Sequence, residues 1–451
     1  MLGEYLPSLN LLTRLSLGSI GILVNELREG LTGGTPPLAT TYVSHHIAML
    51  ARENLIAAKL LQTLASHKSL SAPAWFPGFI KNCLSKLHDD MMRYTDEVPY
   101  DNYDKELAKI EHSIEEKGWQ IVGNKPIKAG TVSLIFELVR ARDNARGVGK
   151  VVRNGIREKL DQSIREVKPL VELLSYWSDA GEVEAVAEEI FSSLKQQTQL
   201  KDEAANCERF GELCKNVDGL RVPEVYEVIS NDFVIFEYLD GKSVAEMNHV
   251  RDDIRKEWSK IIIKSFIVTA GVDGVVHGDM HAGNFLFNDA SGSVGFLDFG
   301  VVYSASMDEK HRVQNTIDNL IEKTEGEIEF VDWISEICVD GFLIPQQTIN
   351  NLDEAVRGEL KERVSVLLKG LFNNNSCGAL LDPEALWKEV RSTQGCGELR
   401  LNPYGMKLWH ALTSGIGVLL TLCGGDYEKI REVFQEATKE IFKLDLLNNS
   451  S

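Results

Sequence analysis

The chain has 451 residues, of which 43% are hydrophobic and 25% charged, the composition of an ordinary globular protein. Its net charge of −19 argues against nucleic acid as the main partner, whereas a nucleotide, whose charge a bound cation neutralises locally, remains compatible. Seven scattered cysteines without a C-x-x-C pair argue against a disulfide framework and favour a reducing compartment.

The N-terminal segment Leu6–Leu27 is apolar and carries Arg14, which predicts either an amphipathic helix at a membrane surface or a packing helix. Two glycines and two prolines at residues 33–37 predict a linker. No run of 18 apolar residues occurs, so no membrane span is predicted. With Glu4 and few basic residues, the segment makes a poor organelle-import peptide. Localisation stays open; peripheral membrane association fits either the mitochondrial matrix face of a eukaryote or a bacterial cytoplasm.

Apolar residues then recur at helical spacing, which predicts helices over Thr41–Leu70, Gly78–Tyr94 and Tyr103–Lys117. Between residues 120 and 152 the pattern changes to short strands, at Val132–Arg140 and Gly147–Val152, with a turn at residues 143–144.

The downstream pattern alternates between helices and strands before becoming helical from Asp308 onward, including a core helix at Leu408–Leu422. The predicted elements in between are helices Ile156–Ala180 and Val183–Cys214, strands Val222–Ile229 and Phe233–Tyr238, and a helix at Ile254–Val272. This order is typical of an α+β, bilobal protein-kinase-like fold.

The most informative segment runs from His277 to Gly300 and reads HGDMHAGNFLFNDASGSVGFLDFG. It contains Asp279, Asn284 and Asp298, the last following a short apolar strand. Enzymes that transfer or hydrolyse the γ-phosphate of a nucleotide use one carboxylate at the attacking oxygen, with an Asn and a second Asp on Mg²⁺. The segment therefore predicts Asp279 as the catalytic acid and the other two as metal ligands.

Two other interpretations of this segment are weaker. In the first, the segment is a buried loop whose polar residues cap turns. This interpretation is disfavoured because three positions match the phosphate-transfer pattern and Phe-Gly follows the last of them. His277 and His281 flank Asp279 and could be taken for zinc ligands, but no further His or Cys cluster accompanies them.

A nucleotide site also needs a cation on the α- and β-phosphates. Lys150, in VGKVV, is the best candidate, and the ion-pair partner is Glu203, in LKDEAANCERF, with Asp202 as an alternative. In FVIFEYLDG, the backbone of Glu237 to Leu239 is predicted to pair with adenine at a hinge.

These motifs, in this order, resemble the UbiB-type atypical kinase-like family, which includes the kinases of coenzyme Q biosynthesis. The resemblance begins at RLSLGSIGILVNELREG and runs past Gly300. The segment AAKLLQTLAS is similar to the KxGQ signature of that family and gives Lys59 and Gln62. PIKAGTVSLIFEL stands where the family has an alanine-rich nucleotide loop, at Ala129, Gly130 and Thr131.

The resemblance implies an ATP-binding, Mg²⁺-dependent kinase-like fold whose N-terminal helices fold over the active site, with Lys59 and Gln62 reaching into it. It also implies a Lys150–Glu203 pair, and a kinase or ATPase activity that supports isoprenoid-quinone lipid synthesis. The implied partners are a nucleotide, lipids or quinone precursors at a membrane surface, and a lipid-biosynthesis complex or a second copy of the chain.

The chain departs from the family pattern at three places. Leu61 replaces the glycine of KxGQ, and Leu134 and Phe136 replace the usual Gln and His after the nucleotide loop. In that loop, Gly130 would permit a positive φ and a close approach of backbone N–H groups to phosphate, with Lys128 adding a charge.

The predicted organisation has four parts: an apolar segment and linker (1–37), a helical extension (38–119), a kinase-like N-lobe with inserted helices (120–242) and a helical C-lobe (243–445).

Two alternatives to a UbiB-type kinase or ATPase remain open. One is a small-molecule phosphotransferase of the aminoglycoside or choline kinase type, whose catalytic loop HGDMHAGN also resembles. The other is a non-catalytic pseudokinase scaffold.

Overall fold

The structure is a computed structural model. It describes residues 110–123, 126–130, 132–177, 182–247, 249–324, 352–373 and 403–443. The chain divides into two compact units, one formed by Met1–Lys201 with Glu227–Ile235, and the other by Asp202–Tyr226 with Phe236–Ser451. The predicted helices before residue 110, with Lys59 and Gln62, lie outside the described residues.

Strands and helices alternate along the described chain, and residues 110–115 are helical ahead of them. The strands are β1 (Trp119–Ile121), β2 (Lys128–Ala129), β3 (Ser133–Arg140), β4 (Arg146–Val152), β5 (Leu220–Arg221), β6 (Val225–Ser230), β7 (Phe233–Glu237), β8 (Val275–His277), β9 (Phe285–Asn288), β10 (Ser293–Phe296) and β11 (Val302–Ser304). The α-helices are α1 (Ile156–Trp177), α2 (Glu182–Gln196), α3 (Leu200–Leu213), α4 (Asp252–Phe266), α5 (Met307–Thr324), α6 (Glu354–Asn373), α7 (Pro403–Leu422) and α8 (Tyr427–Lys443).

The first unit is built on a sheet with strand order β1-β3-β4-β7-β6, to which β2 adds by pairing with β3. The central hairpin, β3 and β4, pairs in antiparallel register from Ser133 opposite Val152 to Val139 opposite Arg146. Its turn is closed by Asp143, whose carboxylate accepts from the Arg140 guanidinium at 2.9 Å and from the Ala145 amide at 3.2 Å. The predicted hairpin is therefore confirmed.

The Trp119 side chain on β1 reaches across one face of this sheet. Trp119 on β1 is fully buried, and its Nε1 donates to Glu227 on β6 at 3.3 Å. Gly147 on β4 makes room for that indole, because a Cβ at this position would lie 2.7 Å from Trp119 Cζ3. A β-sheet interior close-packs in this way only when the facing volumes match.

Two long helices follow the hairpin, and they are joined by ion pairs from Lys168 to Glu188 and from Lys195 to Asp161. The single helix predicted at Val183–Cys214 is wrong, since α2 and α3 are separated at residues 197–199. Thr198 accounts for the break, because its hydroxyl donates to the Lys195 carbonyl at 2.7 Å in place of continuing the helix.

In the second unit, helix α4 is largely buried and contacts α7 and α8. The α-helix predicted at Ile254–Val272 ends at Phe266 and continues as a π-helix over Ile267–Val272. The wider turn coincides with a β-branched run and with Thr269, whose hydroxyl donates to the Ser265 carbonyl at 2.9 Å.

Two small sheets in this unit carry the polar segment at residues 277–300. One has the order β5-β10-β9, and the other pairs β8 with β11. The strand predicted at Val222–Ile229 starts later, at Val225 of β6, because Pro223 has no N–H for a ladder. Among the described helices, none is long and apolar enough to cross a membrane.

Candidate functional site

Asp279 follows β8 directly, at the point where the chain passes close to β11. The Gly278 amide donates to the Val301 carbonyl at 2.8 Å. A Cβ at Gly278 would lie 2.5 Å from Tyr303 Cε2, so a side chain larger than hydrogen would force the two segments apart. The glycine of HGD thus sets where Asp279 leaves the strand.

His277 lies buried beneath this loop and joins its two halves. Its Nδ1 accepts from the Asp279 amide at 3.2 Å, so its Nε2 carries the proton and donates to the Leu297 carbonyl, 3.1 Å away. Burial lowers the pKa of His277, although Asp279 nearby acts in the opposite direction. The ring therefore acts as a neutral bridge between the loop that carries Asp279 and the strand end that precedes Asp298.

Asn284 is 5% exposed and stands at the end of a short 3₁₀-helix, Ala282–Asn284. Its side-chain Nδ2 donates to the backbone carbonyl of Asp279 at 2.9 Å. The backbone carbonyl of Asn284 accepts from the Leu297 amide, also at 2.9 Å. Because Nδ2 is directed to the backbone, the amide orientation is fixed and Oδ1 becomes the atom available as an oxygen ligand.

Asp298 has φ of +59°, one of two non-glycine residues with positive φ among those described. This left-handed conformation is uncommon for a residue with a side chain and is held by its surroundings. Its Oδ1 accepts from the Gly300 amide at 3.3 Å, which turns the carboxylate back over its own backbone.

His281 stands beside Asp279 on the same loop. Its Nδ1 accepts from the Gly283 amide at 2.9 Å and so caps the 3₁₀-helix, while its Nε2 lies 3.6 Å from Asp279 Oδ2. Within the described chain, no group of three or more His, Cys, Asp or Glu side chains is arranged to hold a metal ion. A magnesium site with one amide ligand and one carboxylate ligand does not require such a group.

Residues 93–331 match the family model of the ABC1 atypical kinase-like domain, which spans just over half of the 451 residues. The chain belongs to the ABC1 atypical kinase-like family. The resemblance drawn from its motifs is thereby confirmed, as is the α+β kinase-like fold.

Curated relatives of this ABC1 chain are about a quarter identical to it over the aligned residues. An Arabidopsis thaliana chloroplastic protein named ACTIVITY OF BC1 COMPLEX KINASE 7 is 24% identical over 70% of this chain and 49% of its own length. An Arabidopsis chloroplastic aarF domain-containing protein kinase is 24% identical over 54% of this chain and 33% of its own length. A mitochondrial ABC1 family protein of Saccharomyces cerevisiae is 23% identical over 64% of this chain and 46% of its own length. The chain thus spans half or less of the length of these relatives.

A solved structure similar to this chain is that of Rv3197 from Mycobacterium tuberculosis in complex with erythromycin. The two share 17% sequence identity and superpose with a TM-score of 0.48, covering 82% of this chain and 93% of that chain.

The predicted phosphate lysine and its predicted partner are both buried. Lys150 lies on β4 opposite Ile135 and is 7% exposed, and Glu203 lies in the first turn of α3 and is 3% exposed. Asp202, the alternative partner, is exposed, which favours Glu203. The two residues belong to different units, and their pairing stays a prediction.

The predicted adenine contacts lie at the end of β7. The Glu237 amide already donates to the Glu224 carbonyl at 2.8 Å, and its carboxylate accepts from Arg221 at 2.9 Å. A Leu239 methyl group would lie 3.1 Å from a Cβ at Gly295, so this side chain packs on β10. Any pairing with adenine by Glu237 would use its carbonyl and not its N–H.

In the predicted nucleotide loop, Ala129 ends β2 and Thr131 lies outside the described residues. Gly130 does not adopt the positive φ that the sequence permits. Its amide donates to the Ser133 carbonyl at 2.9 Å, since the residues form the turn between β2 and β3. The expected approach of this N–H to phosphate is therefore replaced by a hairpin bond.

Sequence reasoning missed the part that α3 takes in this site. Asn206 Nδ2 donates to the Phe299 carbonyl at 3.1 Å, and the Phe210 ring packs on the rings of His277 and Phe299. The i, i+3, i+7 spacing of Glu203, Asn206 and Phe210 places them on one helix face and was the available signal.

Proposed function

We propose that the chain binds ATP with Mg²⁺ and transfers or hydrolyses its γ-phosphate. Asp279 would act at the attacking oxygen, with Asn284 and Asp298 as ligands of the metal. The observation that carries this proposal is the orientation of Asn284: with Nδ2 bonded to the backbone at 2.9 Å, its Oδ1 is the oxygen that a hard cation takes.

The donor set fits magnesium. An amide oxygen and a carboxylate oxygen are both hard ligands, and Mg²⁺ takes few of its ligands from protein because it keeps water and phosphate oxygens. The Leu297 amide donates to the backbone carbonyl of Asn284. The two proposed ligands are therefore connected, because Asp298 directly follows Leu297 in the chain. When bound, the ion would neutralise charge on the β- and γ-phosphates.

Asp279 is suited to the proton step. As the attacking oxygen of water or a substrate hydroxyl forms its bond to the γ-phosphorus, the bond to the leaving ADP oxygen breaks, and the attacking O–H proton passes to the Asp279 carboxylate. The carboxylate is partly exposed and stands beside the His281 Nε2, while its backbone amide and carbonyl are held by His277 and Asn284. These contacts fix the loop without occupying the carboxylate.

The remaining predicted residues complete the proposal. Lys150, paired with Glu203, would contact the α- and β-phosphates, and the backbone between Glu237 and Leu239 would contact adenine. Lys59 and Gln62 would act from the N-terminal extension. Membership of the ABC1 family and the resemblance to the coenzyme-Q branch support a role in isoprenoid-quinone lipid metabolism, with a membrane-bound phenol or lipid as the partner.

The first experiment is a thermal-shift titration with Mg²⁺ and ATP. A ligand that binds only the native state raises the melting temperature by mass action, and about 2.7 kcal/mol of stabilisation is expected at a hundredfold excess over Kd. Asp298→Asn should abolish the Mg²⁺-dependent part of the shift. Asp289→Asn is the matched control, since Asp289 is an exposed carboxylate in the turn between β9 and β10. No shift at millimolar nucleotide would favour the pseudokinase scaffold.

A second experiment addresses the partner. ATP hydrolysis is measured with and without vesicles of anionic phospholipid, and with soluble quinone-precursor phenols in place of vesicles. Stimulation by either supports the quinone-lipid role and indicates which part of the ligand is recognised. Phosphorylation of an aminoglycoside or of choline, with no response to vesicles or phenols, would support the small-molecule phosphotransferase.

A further inference from the structure

One face of α3 contacts the segment that follows the candidate metal ligand Asp298. Besides the hydrogen bond from Asn206 to the Phe299 carbonyl, Arg209 Nη1 donates to Ser304 Oγ at 3.0 Å. The rings of Phe210 and Phe299 lie 5.2 Å apart at an angle of 51°. Residues at positions i, i+3 and i+4 of the helix thus meet successive parts of this segment.

Asn206 bonds the peptide group between Phe299 and Gly300. The Phe299 carbonyl and the Gly300 N–H belong to one planar peptide unit. Asn206 bonds the carbonyl end at 3.1 Å, and the N–H end donates to Asp298 Oδ1 at 3.3 Å. Asn206 and the Asp298 carboxylate therefore bond opposite ends of one peptide group.

The backbone at this point would not keep its orientation by local preference. Asp298 has φ of +59°, a conformation that non-glycine residues adopt only where neighbouring contacts hold them. A carbonyl that accepts a hydrogen bond also makes the N–H of the same peptide a better donor. Both effects link the Asn206 amide to the position of the Asp298 side chain.

We infer that Asn206 is a positioning residue for Asp298: by holding the 299–300 peptide plane, it preorganises the carboxylate that binds the metal. This inference rests on the proposed function, in which Asp298 is a magnesium ligand. It is distinct from the roles of Arg209 and Phe210, which contact side chains and not that peptide.

The test compares wild type with Asn206→Asp, which keeps the size of the side chain but replaces the donating amide by an acceptor. Arg209→Ala is the matched control, since it removes a second contact between the same helix face and the same segment. Asn206→Gln retains a donor and serves as the partial rescue. If circular dichroism shows that Asn206→Asp does not fold, Asn206→Ser replaces it, because its hydroxyl is too short to reach the Phe299 oxygen.

Two properties are measured. The first is hydrogen exchange of the Gly300 amide in the nucleotide-free protein, and the second is the Mg²⁺ concentration that gives half of the ATP-dependent thermal shift. Loss of one hydrogen bond is expected to accelerate the exchange and to raise the half-maximal Mg²⁺ concentration, each by about tenfold. Asn206→Gln should recover part of both, and Arg209→Ala should change neither.

Wild-type exchange and wild-type Mg²⁺ dependence in Asn206→Asp would overturn the inference. Equal changes in Asn206→Asp and Arg209→Ala would also overturn it, because they would indicate general loosening of α3. If wild type shows no Mg²⁺-dependent shift with ATP, the proposed function fails, and the exchange rate of Gly300 alone then decides whether Asn206 positions Asp298.

Discussion

The β3–β4 hairpin and the segment from His277 to Ser304 each bring distant parts of the chain together, but by different means. In the hairpin, seven residue pairs share a regular ladder, and Trp119 packs against Gly147 on the second strand. In the other segment the strands are three or four residues long, and individual hydrogen bonds from His277, Asn284 and Asn206 hold the backbone.

The two kinds of contact imply different responses to mutation. A change of volume in the hairpin should cost stability, because close-packed interiors have no room to adjust. A change of one donor or acceptor in the polar segment should alter the position of a functional group at a smaller cost. The following predictions are arranged to separate these two behaviours.

The largest effect is expected for Gly147→Val. Even a Cβ at this position would lie 2.7 Å from Trp119 Cζ3 and 3.2 Å from an Ile235 methyl group, so the sheet must open to accept a valine. We expect the free energy of unfolding to fall by about 3 kcal/mol, measured by urea denaturation. Gly149→Ala is the control on the same strand face, since its nearest neighbour is the flexible end of Leu138 and its cost should be smaller. Equal losses would contradict the packing argument.

His277→Phe should cost about 2 kcal/mol, because the new ring keeps the aromatic contacts but leaves the Leu297 carbonyl and the Asp279 amide without their partner. Urea denaturation measures the loss. The exposed residue His249 provides the control substitution His249→Phe, for which the unfolding free energy should stay within about 0.5 kcal/mol of wild type. A neutral His277→Phe would show that packing, and not hydrogen bonding, holds this segment.

The same histidine predicts a pH dependence. Burial lowers the pKa of His277 from its ordinary 6.5, so the unfolded state binds the proton more readily than the native state. The stability contribution is therefore complete above pH 6.5 and is lost as pH falls through the lower native value. We expect a slope of up to about 1.4 kcal/mol per pH unit in that window for the nucleotide-free protein. His277→Gln should flatten this slope, and an unchanged slope would assign it to other groups.

Much of the hairpin followed from local sequence. Alternating apolar residues on both strands and the Asp-Asn turn predict it, and the structure places the strands within two residues of the prediction. The reach of Trp119 across the sheet was not predictable in this way, because the Trp119–Glu227 contact joins residues 108 positions apart and depends on a glycine in a third strand. The single helix predicted at Val183–Cys214 is interrupted where the Thr198 hydroxyl bonds a backbone carbonyl. The helix predicted at Ile254–Val272 is present, but it changes to a π-helix near Thr269.

In the polar segment, the residue types Asp279, Asn284 and Asp298 predict a metal and phosphate site, because they supply hard oxygen donors, and this assignment stays a prediction. Their orientation could not be predicted. The amide direction of Asn284 depends on a backbone carbonyl, and the positive φ of Asp298 appears in no sequence pattern. Asn206 is 93 positions from the carbonyl that it bonds. Its spacing from Glu203 and Phe210 indicates a shared helix face, but the partner of its amide becomes visible only in the packing of α3.

The smallest effect is expected where charges hold two helices at the surface. Lys260 and Lys264 on α4 both bond Glu440 on α8. Partial burial raises the pKa of Glu440, but hydrogen bonds from Lys264 and Lys260 outweigh it and the net pKa is lowered. This contribution is present above the ordinary carboxyl pKa and is lost as pH falls through the lowered value.

Glu440→Gln should therefore cost about 0.5 kcal/mol in urea denaturation, because the carboxylate is 38% exposed and solvent screens it. Lys260 keeps Glu257, 2.7 Å away, as a second partner. Raising the salt concentration should reduce the difference between Glu440→Gln and wild type, whereas it should leave the cost of Gly147→Val unchanged. A salt-independent loss above about 2 kcal/mol would mean that this pair is governed by burial and packing, as in the hairpin, and not by charge.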